Sequence, residues 1–430
     1  MRHIAGTAAV LELRFYMSDT HFARSLRLPR GLEGLFLEFA EDPNIMFTVN
    51  GDIVTAEGVV ANGTMTVDDA GRIAGIDIGA VRSGYSNDID ATGCLIVPGF
   101  IDLHVHGGGG ADFMTGTDGA VRQAARTHAR FGTVGLLATT LTASREALDA
   151  AVIAARSVMR DGRRDDEARI LGIHLEGPYI CPERRGAQPL RHIRPPDAEE
   201  FQHWIDLSDG VIRQITLAPE QLGAEDLIKI AIKEKVVVSV GHTDARAAQM
   251  EEAARWGARQ VTHVFNAMRG IHHREPGGAG AALAVPEYLV EVIADGVHLH
   301  PMIVKMIAGA KGSDKVLLIT DAIEGAAMPD GEYQLGGNAV TVKNGAASYH
   351  DGTLAGSVLT MNRAFANTAK FTGLPPQVVA RMAATNAARQ LGLDVWTGSL
   401  GPGMHADFTV LSPGGDVLWT VIDGIVAFKR

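Results

Sequence analysis

Several residues able to bind a metal or carry a proton recur at one kind of place in this chain. His104 and His106 lie in Asp102-Leu-His-Val-His106, and Glu176 lies in His174-Leu-Glu176. His242 lies in Val240-Gly-His242, His263 in Thr262-His263 and Asp321 in Thr320-Asp-Ala322. Each closes a short apolar run that reads as a strand. One histidine at a strand end is ordinarily a hydrogen-bonded polar group. Four of them with two carboxylates, at the ends of five such runs, point to a shared metal centre. Strand alternation puts His104 and His106 on one face, where two imidazoles can grip one ion. Imidazole with carboxylate suits zinc, iron, manganese or cobalt as a divalent ion, one or two per subunit. No thiolate set draws the site toward copper(I) or an iron–sulfur cluster. An ion at an open site lowers the pKa of water and polarises a carbonyl. A carboxylate beside that water can carry its proton to the leaving group. Asp321 is the candidate, with a further ligand or a helix cap as its other readings.

The elements that must position these residues follow a rhythm. Strand-like runs end near His104, Leu141, Glu176, Pro219, His242, His263, Asp295 and Asp321. Helical stretches lie between them, among them Asp118–Phe131, Ser144–Met159, Ala224–Glu234, Asp244–Trp256 and Pro301–Ala308. Eight such units close into a (β/α)8 TIM barrel, class α/β, whose site lies at the C-terminal strand ends. The barrel is assigned to 98–394. Residues 46–97 carry short alternating runs punctuated by Asn50-Gly51, Asn62-Gly63 and Ala70-Gly71, which read as hairpin turns. Segments Phe408–Leu411, Val417–Ile422 and Ile425–Phe428 repeat that style. A small β-sandwich domain built from both chain ends, 46–97 and 395–430, is the economical reading. Glu332 to His350 reads as a β-hairpin insertion, followed by helices over Thr360–Phe371 and Pro376–Leu391. Residues 1–45 show neither period. They read as an extension or as the product of a start placed too early.

Composition excludes several classes. The 430 residues exceed one small domain and fit a barrel plus a companion. A net charge of −11 leaves no basic field for nucleic acid. The pair Arg184-Arg185 is local, near an anionic ligand at most. No run approaches the roughly 20 apolar residues of a membrane span. The apolar patch Ile4 to Leu11 is broken by Glu12 and Arg14 and is neither signal peptide nor anchor. Two cysteines, Cys94 and Cys181, form no disulfide framework and fit a reducing cytoplasm. Asn62-Gly63-Thr64 then reads as a turn rather than a glycosylation acceptor.

Taken together, the motifs resemble the amidohydrolase superfamily and, within it, the N-acetylglucosamine-6-phosphate deacetylases. The likeness runs from Met46 to the C-terminus. It rests on Pro98-Gly-Phe-Ile-Asp102, Leu175-Glu-Gly-Pro178, Gly241-His-Thr243, Thr262-His-Val-Phe-Asn-Ala-Met268, Arg274-Glu-Pro-Gly277, Ala294-Asp-Gly-Val-His298, Thr320-Asp-Ala322, Leu354-Ala-Gly-Ser357 and Ala406-Asp407. The resemblance implies that Glu176, His242 and His263 bind the main metal and that Asp321 is general base, then acid. It implies that the backbone of Asn266 and Ala267, the Arg274 side chain and His298 hold a sugar phosphate. Leu354, Ala355 and Gly356 would line the sugar and acetyl pocket, with Ala187 and Gln188 beside them. The substrate so implied is an N-acetylated amino-sugar 6-phosphate, cleaved to acetate and the free amine, in a homodimer. A dianionic phosphate suits the planar donor fork of Arg and backbone N–H groups.

Two features depart from parts of that pattern. Some members replace the His-x-His pair with amides and use one metal; here both histidines stand, so a second metal bridged by Glu176 is chemically possible. The loop often carries Gly-Ala-His, whereas this chain has Gly186-Ala-Gln188. Gln188 can hydrogen-bond a hydroxyl or phosphate but carries no charge, which leaves room for the galacto epimer. Cyclic amidases and deaminases often use a lysine at the fourth strand end, and Ile212 to Glu220 has none. A non-catalytic scaffold would lack ligands or base, and all are present.

Overall fold

The computed structural model describes residues 44–79 and 87–430. The extension assigned to 1–45 lies outside the described residues, save its last two positions. Eight parallel strands form one sheet in the order of the chain: Phe100–Val105, Thr133–Thr140, Arg169–Glu176, Ile212–Leu217, Val237–Val240, Gln260–Val261, Leu289–Val292 and Val316–Leu318. A parallel bridge between Val105 and Ala322 closes the last strand onto the first. The Asp321 N–H donates to the His104 carbonyl at 2.9 Å across that seam. The strands are buried on both faces, with polar residues such as Asp102, Gln214, Gln260 and Glu291 set among the apolar ones.

The outer helices begin where their caps dictate. Thr117 accepts from the Ala120 N–H ahead of Asp118–Ala129, and Ser144 from the Ala147 N–H ahead of Arg145–Asp161. Two further helices, Ala198–Ser208 and Gly277–Ala284, were not legible in the sequence pattern. The second is built of glycine, alanine and one leucine and is mostly buried, so it lacks an amphipathic stripe. The helix expected over Pro376–Leu391 carries a wider turn at Arg381–Thr385.

Both chain ends meet in a seven-stranded sheet. Its strands are Ile45–Val54, Val59–Asp68, Ile73–Ile78, Ile89–Pro98, Phe408–Leu411, Val417–Ile422 and Ile425–Lys429. It encloses its own core of Phe47, Ile53, Met65, Ile96, Phe408 and Val421. Two expected turns are corrected. Asn50-Gly51 and Asn62-Gly63 lie inside strands, Gly51 facing Gly63 and Asn50 facing Thr64 beside an irregularity in register. A side chain at Gly51 would meet the Ala91 carbonyl at 2.8 Å, so close strand approach, not a turn, explains that glycine. The insertion after the eighth strand is a three-stranded sheet, Gly331–Leu335, Asn338–Lys343 and Ala346–Ser348. Among the described residues no helix is long and apolar enough to cross a membrane.

Candidate metal centre and active site

The six candidates from five strand ends converge. Glu176 Oε1 stands 3.1 Å from His263 Nε2, 3.2 Å from His242 Nε2 and 3.3 Å from His104 Nε2. Glu176 Oε2 stands 3.4 Å from His106 Nε2. Two metal-capable triads thus share one carboxylate: His104, His106 and Glu176, and Glu176, His242 and His263. Asp321 Oδ1 lies 3.2 Å from His106 Nε2 and 3.5 Å from His104 Nε2.

The donor set fits a divalent ion. His242 Nε2 and His263 Nε2 stand 3.1 Å apart, and His104 Nε2 and His106 Nε2 3.3 Å apart. Two nitrogens bound tetrahedrally to one zinc at ordinary length would stand about 3.3 Å apart. The charges agree. Burial pushes Glu176 up, but His104 and His242 outweigh it and hold the carboxyl well below its usual range. Burial lowers His106, yet Asp321 and Glu176 raise it to about 9. The carboxylates therefore demand positive charge here, from protons on imidazoles or from an ion that leaves the imidazoles neutral.

Local backbone supports the arrangement. His242, His263 and Asp321 all have left-handed φ, at 46°, 27° and 52°. Such conformations cost energy in non-glycine residues and cluster at functional sites. Gly356 at φ 57° explains part of the Leu-Ala-Gly-Ser motif: a side chain there would meet Ile323 Cγ2 at 2.5 Å and the Asp321 carbonyl at 2.9 Å.

Other site residues surround the candidates without having been singled out. Glu291 is fully buried inside the seventh strand and accepts from His104 Nδ1 at 3.0 Å, leaving Nε2 for an ion. It also accepts from Gln260 at 2.6 Å, from Gln214 at 3.0 Å and from the His263 N–H at 3.1 Å. Asp102 accepts from Thr320 Oγ1 at 2.6 Å, and burial pushes its pKa up to about 7. His174 packs edge-on against His104 and bonds Thr216 Oγ1 at 2.8 Å; burial holds its pKa well below the usual value, so it stays neutral. Strand alternation alone marks these as interior positions, not as supports of a ligand.

A cavity of about 270 Å³ opens over the cluster. Ala187, Gln188, Asn266, Ala267, His298, Leu354 and Gly356 line it, together with His106, Glu176, His242, His263 and Asp321, while His104 lies buried beneath. Leu335, from the inserted sheet, adds an apolar wall that sequence reasoning did not name. His298 Nδ1 bonds Asp295 Oδ2 at 2.7 Å, so its Nε2 is left for a ligand.

Three expected contacts differ. Arg274 does not line the cavity; its guanidinium bonds His273 Nε2 at 2.7 Å on an exposed loop. Ala355 is buried in the small core beneath the inserted sheet, with Leu141, Ile323 and Val340, and is not a lining residue. The Asn266 N–H donates to the His263 carbonyl at 2.9 Å, closing the turn after the sixth strand. Arg184 is paired with Asp244 at 2.7 Å.

Known proteins resemble this chain in sequence and in fold. A relative from Bacillus subtilis (strain 168), N-acetylglucosamine-6-phosphate deacetylase, is 40% identical over 382 residues, 87% of this chain and 95% of its own. N-acetylgalactosamine-6-phosphate deacetylase of Escherichia coli O157:H7 is 38% identical over 77% of this chain and 88% of its own. A solved structure is that of the D267A mutant of N-acetyl-D-glucosamine-6-phosphate deacetylase from Mycobacterium smegmatis with N-acetyl-D-glucosamine-6-phosphate. It superposes with a TM-score of 0.83 at 33% identity, covering 90% of this chain and all of that one. The amidohydrolase family model matches residues 95–426. With that match across most of its length and a barrel whose strand ends gather these ligands, the chain belongs to the amidohydrolase family.

Proposed function

We propose that this chain hydrolyses the acetamide of N-acetylglucosamine 6-phosphate, giving glucosamine 6-phosphate and acetate. The observation that carries the reading is the pair of triads sharing Glu176, with Asp321 beside them at the floor of the cavity. Relatives that act on this substrate support it. Glu176, His242 and His263 would hold one divalent ion, and His104 and His106 with Glu176 a second. When bound, the ion lowers the pKa of water and polarises the amide carbonyl.

The chain's own residues do the rest. Burial pushes the Asp321 carboxyl up, but His104 and His106 outweigh it and hold it below its usual range, so it is a base at neutral pH. It takes the proton of the attacking water and returns it to the leaving nitrogen as the carbon–nitrogen bond breaks. Ala267 and His298 position the sugar phosphate, with Asn266 closing the turn just before Ala267, and Leu335 and Leu354 pack its apolar parts. Binding energy from the remote phosphate orients the amide. Among the described residues no arginine or lysine lines the cavity, and a dianion calls for one. Arg274 on an exposed loop suits delivery from a second copy, so we read the protein as a homodimer, and a monomeric mass by light scattering would count against that. Both cysteines are free thiols, as a reducing cytoplasm leaves them.

The galacto epimer is the second reading, favoured by the E. coli relative. Acetate release from N-acetylglucosamine 6-phosphate, N-acetylgalactosamine 6-phosphate and unphosphorylated N-acetylglucosamine, with and without a chelator, separates the readings. Chelator-sensitive preference for the first is expected. Preference for the second moves the assignment to the epimer. Release from none of them, by metal-loaded protein, would overturn the substrate.

A further inference from the structure

The geometry points to Gln188 as a positioning residue of the metal centre, one that fixes the plane of the Glu176 carboxylate and so keeps Oε2 turned to the His106 side while Oε1 faces the other imidazoles. This rests on the metal reading above and goes beyond it. Gln188 is 1% exposed, although it borders the cavity. Its two amide atoms can be told apart by their partners. The Thr142 backbone N–H points at one of them at 2.8 Å, and an N–H can only donate, so that atom is the oxygen. The other is the NH2 group, and it donates to Glu176 Oε2 at 2.5 Å. The loop holding Gln188 is itself fixed. The Gln188 N–H donates to the Arg185 carbonyl at 2.9 Å, and Tyr349 Oη donates to the Ala187 carbonyl at 2.9 Å.

The consequence falls on the carboxylate. A free carboxylate rotates about its last bond, and either oxygen could then face either set of imidazoles. With Oε2 tied to Gln188, Oε1 is left facing His242 and His263, at 3.2 and 3.1 Å, and His104, at 3.3 Å. Oε2 is presented on the His106 side, at 3.4 Å. An amide suits this task better than a cationic side chain. It steadies the carboxylate without adding a positive charge next to the ions. It also explains why Gln188 is a poor sugar contact: its oxygen and one N–H are already engaged within the protein.

The test measures metal, not only turnover. Wild type, Gln188→Leu and Gln188→Asn would each be reconstituted with zinc. Their metal content would be read by mass spectrometry and their affinity by competition with a chelator. Gln188→Leu removes the donor, and Gln188→Asn keeps it but is too short to span both partners. The wild type should hold two ions. Both variants should keep a far-UV spectrum and melting temperature near wild type while losing affinity for one ion by roughly 10–100-fold, the range for lost supports of metal ligands. The Michaelis constant should change less than about two-fold. Should one variant fold poorly, the other carries the measurement. Two tightly held ions in the variants, with a raised Michaelis constant, would overturn the inference alone and make Gln188 a substrate contact. A wild type holding a single ion would overturn the second metal position and with it the role given to Oε2. A wild type that takes up no metal would overturn the metal reading and this inference together.

Discussion

Asp321 stands at the last barrel strand with a left-handed φ and a carboxylate oxygen 3.2 Å from His106 Nε2. Its backbone is held on both sides, by the His104 carbonyl and by the Ser357 N–H at 2.7 Å. The side chain is therefore aimed by the fold and not by the ion. Asp321→Asn preserves shape and removes only the ability to accept a proton as an anion. Turnover should fall by roughly 10²–10⁴-fold, the usual contribution of a general acid–base, while metal content stays at the wild-type level. Near-wild-type turnover with full metal would remove Asp321 from the proton path. The six ligand and base candidates were legible because each is a polar residue ending an apolar run. Glu291 was not. It sits within Leu289–Val292, where one polar residue reads as an irregularity, and only the folded barrel shows its four donors.

At the scale of elements, the eight strands and most outer helices could be read from their pattern, because the strands are short, largely apolar runs between helices and each long helix has one apolar face. Ala70-Gly71 does turn the chain between two strands of the end sheet, but the other two expected turns do not, since a glycine needed for close strand approach looks like a glycine needed for a turn. One element gives a pH-dependent prediction. Helix Asp118–Ala129 grips the loop after the first barrel strand through His128 Nε2, which bonds the Gly107 carbonyl at 2.8 Å. His128 is buried, its Nδ1 has no partner among the described residues, and burial lowers its pKa despite that bond. The unfolded chain protonates this imidazole below its ordinary value of about 6.5 while the folded one does not. Its share of stability is thus full above that pH and is lost as pH falls toward the lowered folded value. His128→Gln should fall off less steeply than wild type between pH 6.5 and 5 in urea titrations of metal-loaded protein. Parallel curves would mean that His128 takes up its proton in the folded state.

The whole molecule depends on how the end sheet is joined to the barrel. Arg169 opens the third barrel strand, whose other end is Glu176. Its guanidinium meets both oxygens of Asp407, at 2.9 and 2.8 Å, and also pairs with Asp423. Asp407 is 1% exposed in its side chain and accepts as well from Thr397 Oγ1 at 2.7 Å and from the Asp423 N–H at 2.9 Å. His405, Asp407 and Asp423 are spaced closely enough for a metal, but Arg169 already supplies the positive charge, so this is an ion-pair joint. It also gives the Ala-Asp segment near the C-terminus a physical role. Arg169→Ala would leave Asp407 buried without its counter-charge, a change that typically costs about 3–5 kcal/mol. Since the arginine lies at the far end of the strand from Glu176, stability and chemistry should separate. The urea midpoint should drop by that equivalent, with the Michaelis constant and metal content at wild-type levels in the remaining folded protein. Loss of metal at unchanged stability would mean instead that the joint transmits its geometry along the strand to Glu176.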